Sequence, residues 1–178
     1  MTVTNVSLKK PDLILEHYFL GKTFASGIFE DRFGNVRRQF TVDIDGTWDG
    51  KTLTLTEDFI FGDGETETRV WSIEKIAPAS YVGTADDVIG SAKGIVSGNT
   101  LNWKYDMRLK VGGSRVKVHF DDWMFLQPNG VLINKATVSK LGLDIGRVTI
   151  AFTKKADADF LSTIPSTNKQ PLVATFVR

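Results

Sequence analysis

From Gly27 to Phe152 the sequence keeps one rhythm: a short run of alternating apolar and polar residues, a tight glycine-bearing turn, then another alternating run. Turn pairs and triplets stand at Gly34-Asn35, Gly62-Asp63-Gly64, Gly98-Asn99, Gly112-Gly113 and Pro128-Asn129-Gly130. Alternation of period two makes a strand with one buried face, and loops this short join antiparallel neighbours. The pattern predicts roughly nine or ten strands paired in chain order, an all-β meander. An open sheet of that size would expose an apolar face and two free edges, and closure removes both. The expected fold is therefore an antiparallel up-and-down β-barrel of lipocalin-like architecture, with a two-sheet sandwich as the alternative. One short N-terminal helix is expected in "PDLILEHYFLG", with Leu13, His17 and Leu20 on one face and Gly21 as its stop.

The chain has 178 residues, which suits one domain with one substantial core. An N-terminal arm to about residue 21 and an extension from about residue 155, whose "LVATFVR" reads as a late strand, flank the barrel. A net charge of +1 gives no pull toward nucleic acid or an anionic membrane. The absence of cysteine rules out a disulfide framework, a zinc-thiolate site and a cysteine nucleophile, and two histidines argue against a histidine-rich metal site. "TADDVIGSAKG" lacks phosphate-loop spacing, and its Asp86 and Asp87 read as turn caps. No cofactor or metal is expected. The first residues hold no apolar stretch long enough for a signal peptide or a span, so the expectation is a cytoplasmic chain without a stable membrane anchor, or an envelope lipoprotein if a leader was removed.

Turn length fixes register, and register decides which side chains share a face. A two-residue turn at Gly34-Asn35 pairs Phe29 with Phe40, Gly27 with Val42 and Ala25 with Ile44, and sets Asp31 opposite Arg38. A three-residue loop at Gly62-Asp63-Gly64 pairs Leu53 with Ile73, Leu55 with Trp71 and Glu57 with Arg69. The turn at Gly98-Asn99 pairs Val96 with Leu101, Gly94 with Trp103 and Ala92 with Tyr105. That at Gly112-Gly113 pairs Met107 with Val118, Tyr105 with Phe120 and Trp103 with Asp122.

These registers put Asp31 with Arg38, Glu57 with Arg69, and Asp122 among Phe, Trp, Leu and Val on the inner face. A buried charge must be paired, hydrated or neutralised, and register-fixing ion pairs near a barrel end are the structural explanation. The functional one is a pocket, mostly apolar with a few polar anchors. The candidate ligand-binding set is Arg69, Glu57 and Asp122 with walls from Trp103, Trp71, Tyr105, Phe120, Phe29 and Phe40, and Arg38 near the rim. Arg69 could take a carboxylate or phosphate in bidentate fashion. His119 with Asp106 and Asp121 has the make-up of an oriented base, but the alternation points all three outward, onto a solvated surface.

Three stretches, "GIFEDRFGNVRRQFTVDIDGTWDGKTLTLTEDFIFGDGETETRVWSI", "YVGTADDVIGSAKGIVSGNTLNWKYDM" and "VHFDDWMFLQPNGVLINKATVSKLGLDIGRVTIAF", resemble the bacterial family called domain of unknown function 3833. The similarity runs from about Leu13 to Lys154. The resemblance implies a connection to lipid, because many members carry lipoprotein leaders and are encoded near enzymes that modify membrane fatty acids; this chain lacks the leader and lipid-bearing cysteine. It implies no catalytic residues. The leading expectation is a binding or carrier protein for a fatty-acid-like or other apolar small molecule. The alternatives are a lipid isomerase, cyclase or hydratase using Asp122 or Glu57, and a packed barrel with a structural or interaction role.

Overall fold

The computed structural model describes residues 11–111 and 113–154; the expected late strand near the C-terminus lies outside them. A short helix, α1 (Leu15–Phe19), precedes ten strands: β1 (Gly21–Asp31), β2 (Val36–Trp48), β3 (Thr52–Phe61), β4 (Thr66–Ala77), β5 (Ser80–Thr84), β6 (Val88–Ser97), β7 (Thr100–Val111), β8 (Ser114–Leu126), β9 (Leu132–Lys140) and β10 (Leu143–Thr153). Each pairs with its chain neighbours, and β1 pairs antiparallel with β10 from Phe24–Thr153 to Asp31–Gly146, closing the barrel. Closure satisfies every edge, which is why the alternating pattern folds this way and not as two stacked sheets.

The registers expected for β3–β4 and β7–β8 are the observed ones: Leu55 faces Trp71, Glu57 faces Arg69, Tyr105 faces Phe120 and Trp103 faces Asp122. In β6–β7 the pairs Val96–Leu101 and Gly94–Trp103 form as expected, and the ladder then shifts between Ile89 and Lys93, where the expected Ala92–Tyr105 pair is not part of it. Gly90, at φ +70°, accommodates the irregularity. The β1–β2 register differs by two residues from the expected one: Ala25 pairs with Val42, Gly27 with Phe40 and Phe29 with Arg38. The reason is the turn. The Asp31 carboxylate accepts from the Phe33 and Asn35 N–H groups at 2.9 and 3.0 Å, holding a longer loop, and a bulge follows at Phe29/Glu30. Asp31 therefore does not pair with Arg38 but with Arg37, at 2.6 Å. A two-residue slip preserves the inward face, so the predicted inner set survives it.

α1 caps one end. Five residues make no stable helix alone, so packing holds it. Leu13 N–H donates to the Gly98 carbonyl at 2.8 Å, and the Tyr18 hydroxyl lies 3.0 Å from the Gly130 carbonyl. Phe19 packs edge-on against Phe152, with its carbonyl so close to Gly46 that any side chain there would collide. The buried residues are Leu13, Leu15, Glu16 and Phe19, whereas the expected face residues His17 and Leu20 are exposed. A single turn of helix is too short for the longer-period stripe used to predict it. Among the described residues no helix is long and apolar enough to cross a membrane.

Candidate functional site

Inward-facing side chains are not buried alike along the barrel. Toward α1, Leu53, Leu101 and Leu132 are wholly enclosed. Trp103 fills the room left by glycines: a Cβ on Gly83 or Gly94 would overlap its indole. Toward the other end, which carries the β1–β2, β3–β4, β5–β6, β7–β8 and β9–β10 turns, Phe29, Phe40, Phe59, Phe61, Tyr105 and Val148 point inward by register and remain only half-buried. On the β7–β9 side of that end Met107, Val118 and Val138 are buried, so the half-buried aromatics gather mainly on the β1–β3 wall.

Between floor and mouth lies an ion cluster. The β3–β4 register sets Glu57 beside Arg69, and the β5–β6 turn brings in Asp87. Arg69 Nε donates to Asp87 Oδ2 at 2.9 Å and to Oδ1 at 3.2 Å, and its Nη2 is ion-paired with Oδ2 at 2.9 Å. Its Nη1 is 3.8 Å from Glu57 Oε2, its Nη2 is 3.5 Å from Glu67, and its guanidinium lies 5.1 Å from the Phe59 ring centre. The Glu57 and Arg69 side chains are only 14% and 16% exposed. Burial pushes the Glu57 carboxyl up to about 7 against the pull of Arg69, with Asp87 adding to the rise. Burial opposes the charge on Arg69, but Glu57 and Asp87 outweigh it and hold the guanidinium above its ordinary range.

Asp122 lies deeper, 4% exposed. Burial lifts it to about 7 despite side-chain hydrogen bonding from Asn134 and Tyr105, and Asp121 adds to the rise. The Tyr105 hydroxyl donates to Asp122 Oδ2 over a long 3.4 Å. Asp122 Oδ1 and the Oδ1 of Asn134, itself 3% exposed, are enclosed without a hydrogen-bond partner. An enclosed orphan acceptor costs about 1–3 kcal/mol. Tyr105 links the levels: its ring stacks on Phe120 at 5.0 Å and meets Trp71 edge-on at 5.4 Å, and Trp71 meets Trp103 at 5.7 Å.

The opposite wall is aromatic. Phe40 occupies the space beside Gly27 and tilts against Phe59 and Phe61, each at 5.9 Å. Arg38 closes this wall at the rim, its guanidinium 3.5 Å above the Phe61 ring and paired with Asp63 and Glu65 at 3.0 and 2.7 Å. The structure thus joins Glu57, Arg69, Trp71, Trp103, Tyr105, Phe120 and Asp122 in one interior set, and Phe59 connects it to Phe40 and Arg38. Phe29 stands on the same inner face in β1. Sequence reasoning missed Asp87, Asn134 and Phe59. The turn-cap reading of Asp87 hid an acid placed beside an inward arginine. His119 faces outward, its Nδ1 2.8 Å from Asp106, while Asp121 pairs with Lys104 at 3.3 Å.

Two concavities lie on the outside of the wall. One, of about 610 Å³, is lined mainly by outward-facing residues of β10, β1, β2 and β3, among them Ser26, Gln39, Thr41, Ile60 and Thr149. The other, of about 310 Å³, surrounds the β6 irregularity near Lys93, Lys104 and His119.

The family described as "Protein of unknown function (DUF3833)" matches residues 1–154. The chain belongs to this DUF3833 family. No curated protein matches it. Among solved structures, the S-type phycobiliprotein lyase from Guillardia theta is similar, with a TM-score of 0.58 and 6% identity, covering 79% of this chain and 90% of that one. At that identity the likeness is one of fold, and it agrees with the lipocalin-like barrel seen in this DUF3833 member.

Proposed function

We propose that this barrel binds a fatty-acid-like or other apolar small molecule in the mouth half of its lumen, acting as a binding or carrier protein. One observation carries the reading: inward aromatic side chains stay half-exposed around an enclosed ion cluster, where a fully packed barrel would bury them. Ligand sites combine apolar walls with a few fixed polar groups in this way. Phe29, Phe40, Tyr105 and Phe120 supply walls, Trp71 and Trp103 the floor, Glu57 and Arg69 the polar band, and Arg38 the rim. The shared barrel shape with a phycobiliprotein lyase supports a lumen used for a ligand and is silent on which. Organic extraction of purified protein followed by mass spectrometry should release an apolar compound, and a dodecyl-chain ligand should change tryptophan fluorescence saturably. A clean extract together with a flat titration would sink the reading.

A second reading has its own support. Glu57 and Asp122 both titrate near neutrality beside the same lumen, which suits acid–base work on a bound lipid-like substrate. If the extracted compound is turned over, Asp122→Asn should abolish conversion while preserving the fold by circular dichroism.

A further inference from the structure

The polar groups of the lumen are unevenly matched. Two guanidinium groups, Arg69 and Arg38, face it, and both are engaged: Arg69 by Asp87 through two nitrogens at 2.9 Å, Arg38 by Asp63 and Glu65. Neither is available as a free anchor for an anionic head group. Acceptors, by contrast, are in surplus. Glu57 accepts from Trp71 but stands 3.8 Å from its nearest cation, beyond hydrogen-bond length, so its carboxylate keeps capacity for a further donor, and Glu67 stands above it. Below, Asp122 Oδ1 and Asn134 Oδ1 are enclosed without a donor. Asp122 and Asn134 come from β8 and β9, where Asp122 pairs with Ala136 and Met124 with Asn134, so they are diagonal neighbours on one inward face. Tyr105 connects the two levels, its hydroxyl on Asp122 and its ring packed against Phe120 and Trp71. An enclosed acceptor without a donor costs stability, and a ligand that brings the donor recovers it.

We propose that the lumen selects ligands whose polar end donates hydrogen bonds, an alcohol or an amine, over ligands ending in a carboxylate, with Glu57 and the Asp122–Asn134 oxygens as the accepting groups. This rests on the lumen-binding reading and narrows its ligand class. A carboxylate end would meet Glu57, Glu67, Asp87 and Asp122 with no uncommitted cation to offset them. A hydroxyl or ammonium end would satisfy acceptors that the fold leaves open.

The test uses one chain length with three ends. Dodecanol, dodecylamine and dodecanoate, each below its aggregation concentration, are titrated separately into the full chain at about pH 8, with tryptophan fluorescence as the readout. Dodecanol and dodecylamine should bind at least about 10-fold more tightly than dodecanoate, the factor that one charge-assisted hydrogen bond supplies. Glu57→Gln and Asp122→Asn, which keep side-chain shape, should each shrink that preference several-fold, with folding checked by circular dichroism. Dodecanoate binding as tightly as the others overturns the donor selectivity and leaves the lumen reading standing. No response to any of the three overturns both. A preference that persists unchanged in both folded variants overturns the assignment to these acceptors, and means that Asp122 and Asn134 share a proton of their own.

Discussion

At the end closed by α1, Leu53, Leu101 and Leu132 are wholly buried and Trp103 fills the room left by Gly83 and Gly94; at the mouth, Phe29, Phe40, Phe59 and Tyr105 face the same lumen and stay half-exposed. The two halves also treat a buried carboxyl differently. Burial raises Glu16, but Lys75 at 2.5 Å and the Tyr81 hydroxyl at 2.8 Å outweigh it and leave the carboxyl below its usual range. Glu57 takes a hydrogen bond from Trp71, and Asp122 from Tyr105 and Asn134, but neither has a cation within hydrogen-bond length, and burial lifts both to about 7. A satisfied ion pair locks the helix end, whereas the unpartnered oxygens of Asp122 and Asn134, at the level of Trp103 and Leu132, are held there by the surrounding fold. A packed, ion-paired floor thus holds polar groups that are themselves not optimised for packing.

That contrast can be broken by mutation. The largest effect is expected from Trp103→Ala, which should cost about 4 kcal/mol in denaturant unfolding, against about 1 kcal/mol for Phe59→Ala at the mouth. Equal costs would erase the distinction. Lys75→Met should cost about 3 kcal/mol at neutral pH, because it strands a buried carboxylate. Glu16 is depressed in the fold, so its contribution is present above its unfolded value of 4.5 and is lost as pH falls through the lower folded value. Stability curves between about pH 6 and 2 should therefore show an acid loss in the wild type that the variant lacks.

Asp122 has the opposite sign. Its folded value of about 7 exceeds the unfolded 3.8, so the folded state binds the extra proton, and stability declines as pH rises through that window and is flat above it. Asp122→Asn should remove the decline and stabilise the protein by about 2 kcal/mol at pH 8, read by thermal unfolding across pH. The smallest effect belongs to Arg38→Ala, whose rim ion pairs are half in water; a loss below about 0.5 kcal/mol is expected.

Much of this barrel is legible in the residues because glycine turns count strands for the reader. Gly62 to Gly64 and Gly112-Gly113 set registers that place Glu57 against Arg69 and Asp122 against Trp103. The failures have physical causes. Asp31 holds its loop with its own side chain, a length that composition does not announce. The β9–β10 turn runs through Leu141-Gly142, with leucine at φ +51° and 95% exposed, where asparagine or glycine would have marked the turn. Asp87 and Asn134 reach the site from a turn and from a third strand, and pairing within single hairpins cannot reveal contacts across a closed lumen. Glu16 escaped because a one-turn helix shows no period.

The most direct test is to locate the ligand. The tightest-binding of the three dodecyl compounds would be titrated into isotopically labelled protein and followed by nuclear magnetic resonance. The account predicts shift changes at the rings of Phe29, Phe40, Phe59 and Tyr105 and the indole of Trp71, with the methyls of Leu53 unmoved. Changes confined to Ser26, Gln39, Ile60 and Thr149 on the outer wall would contradict it.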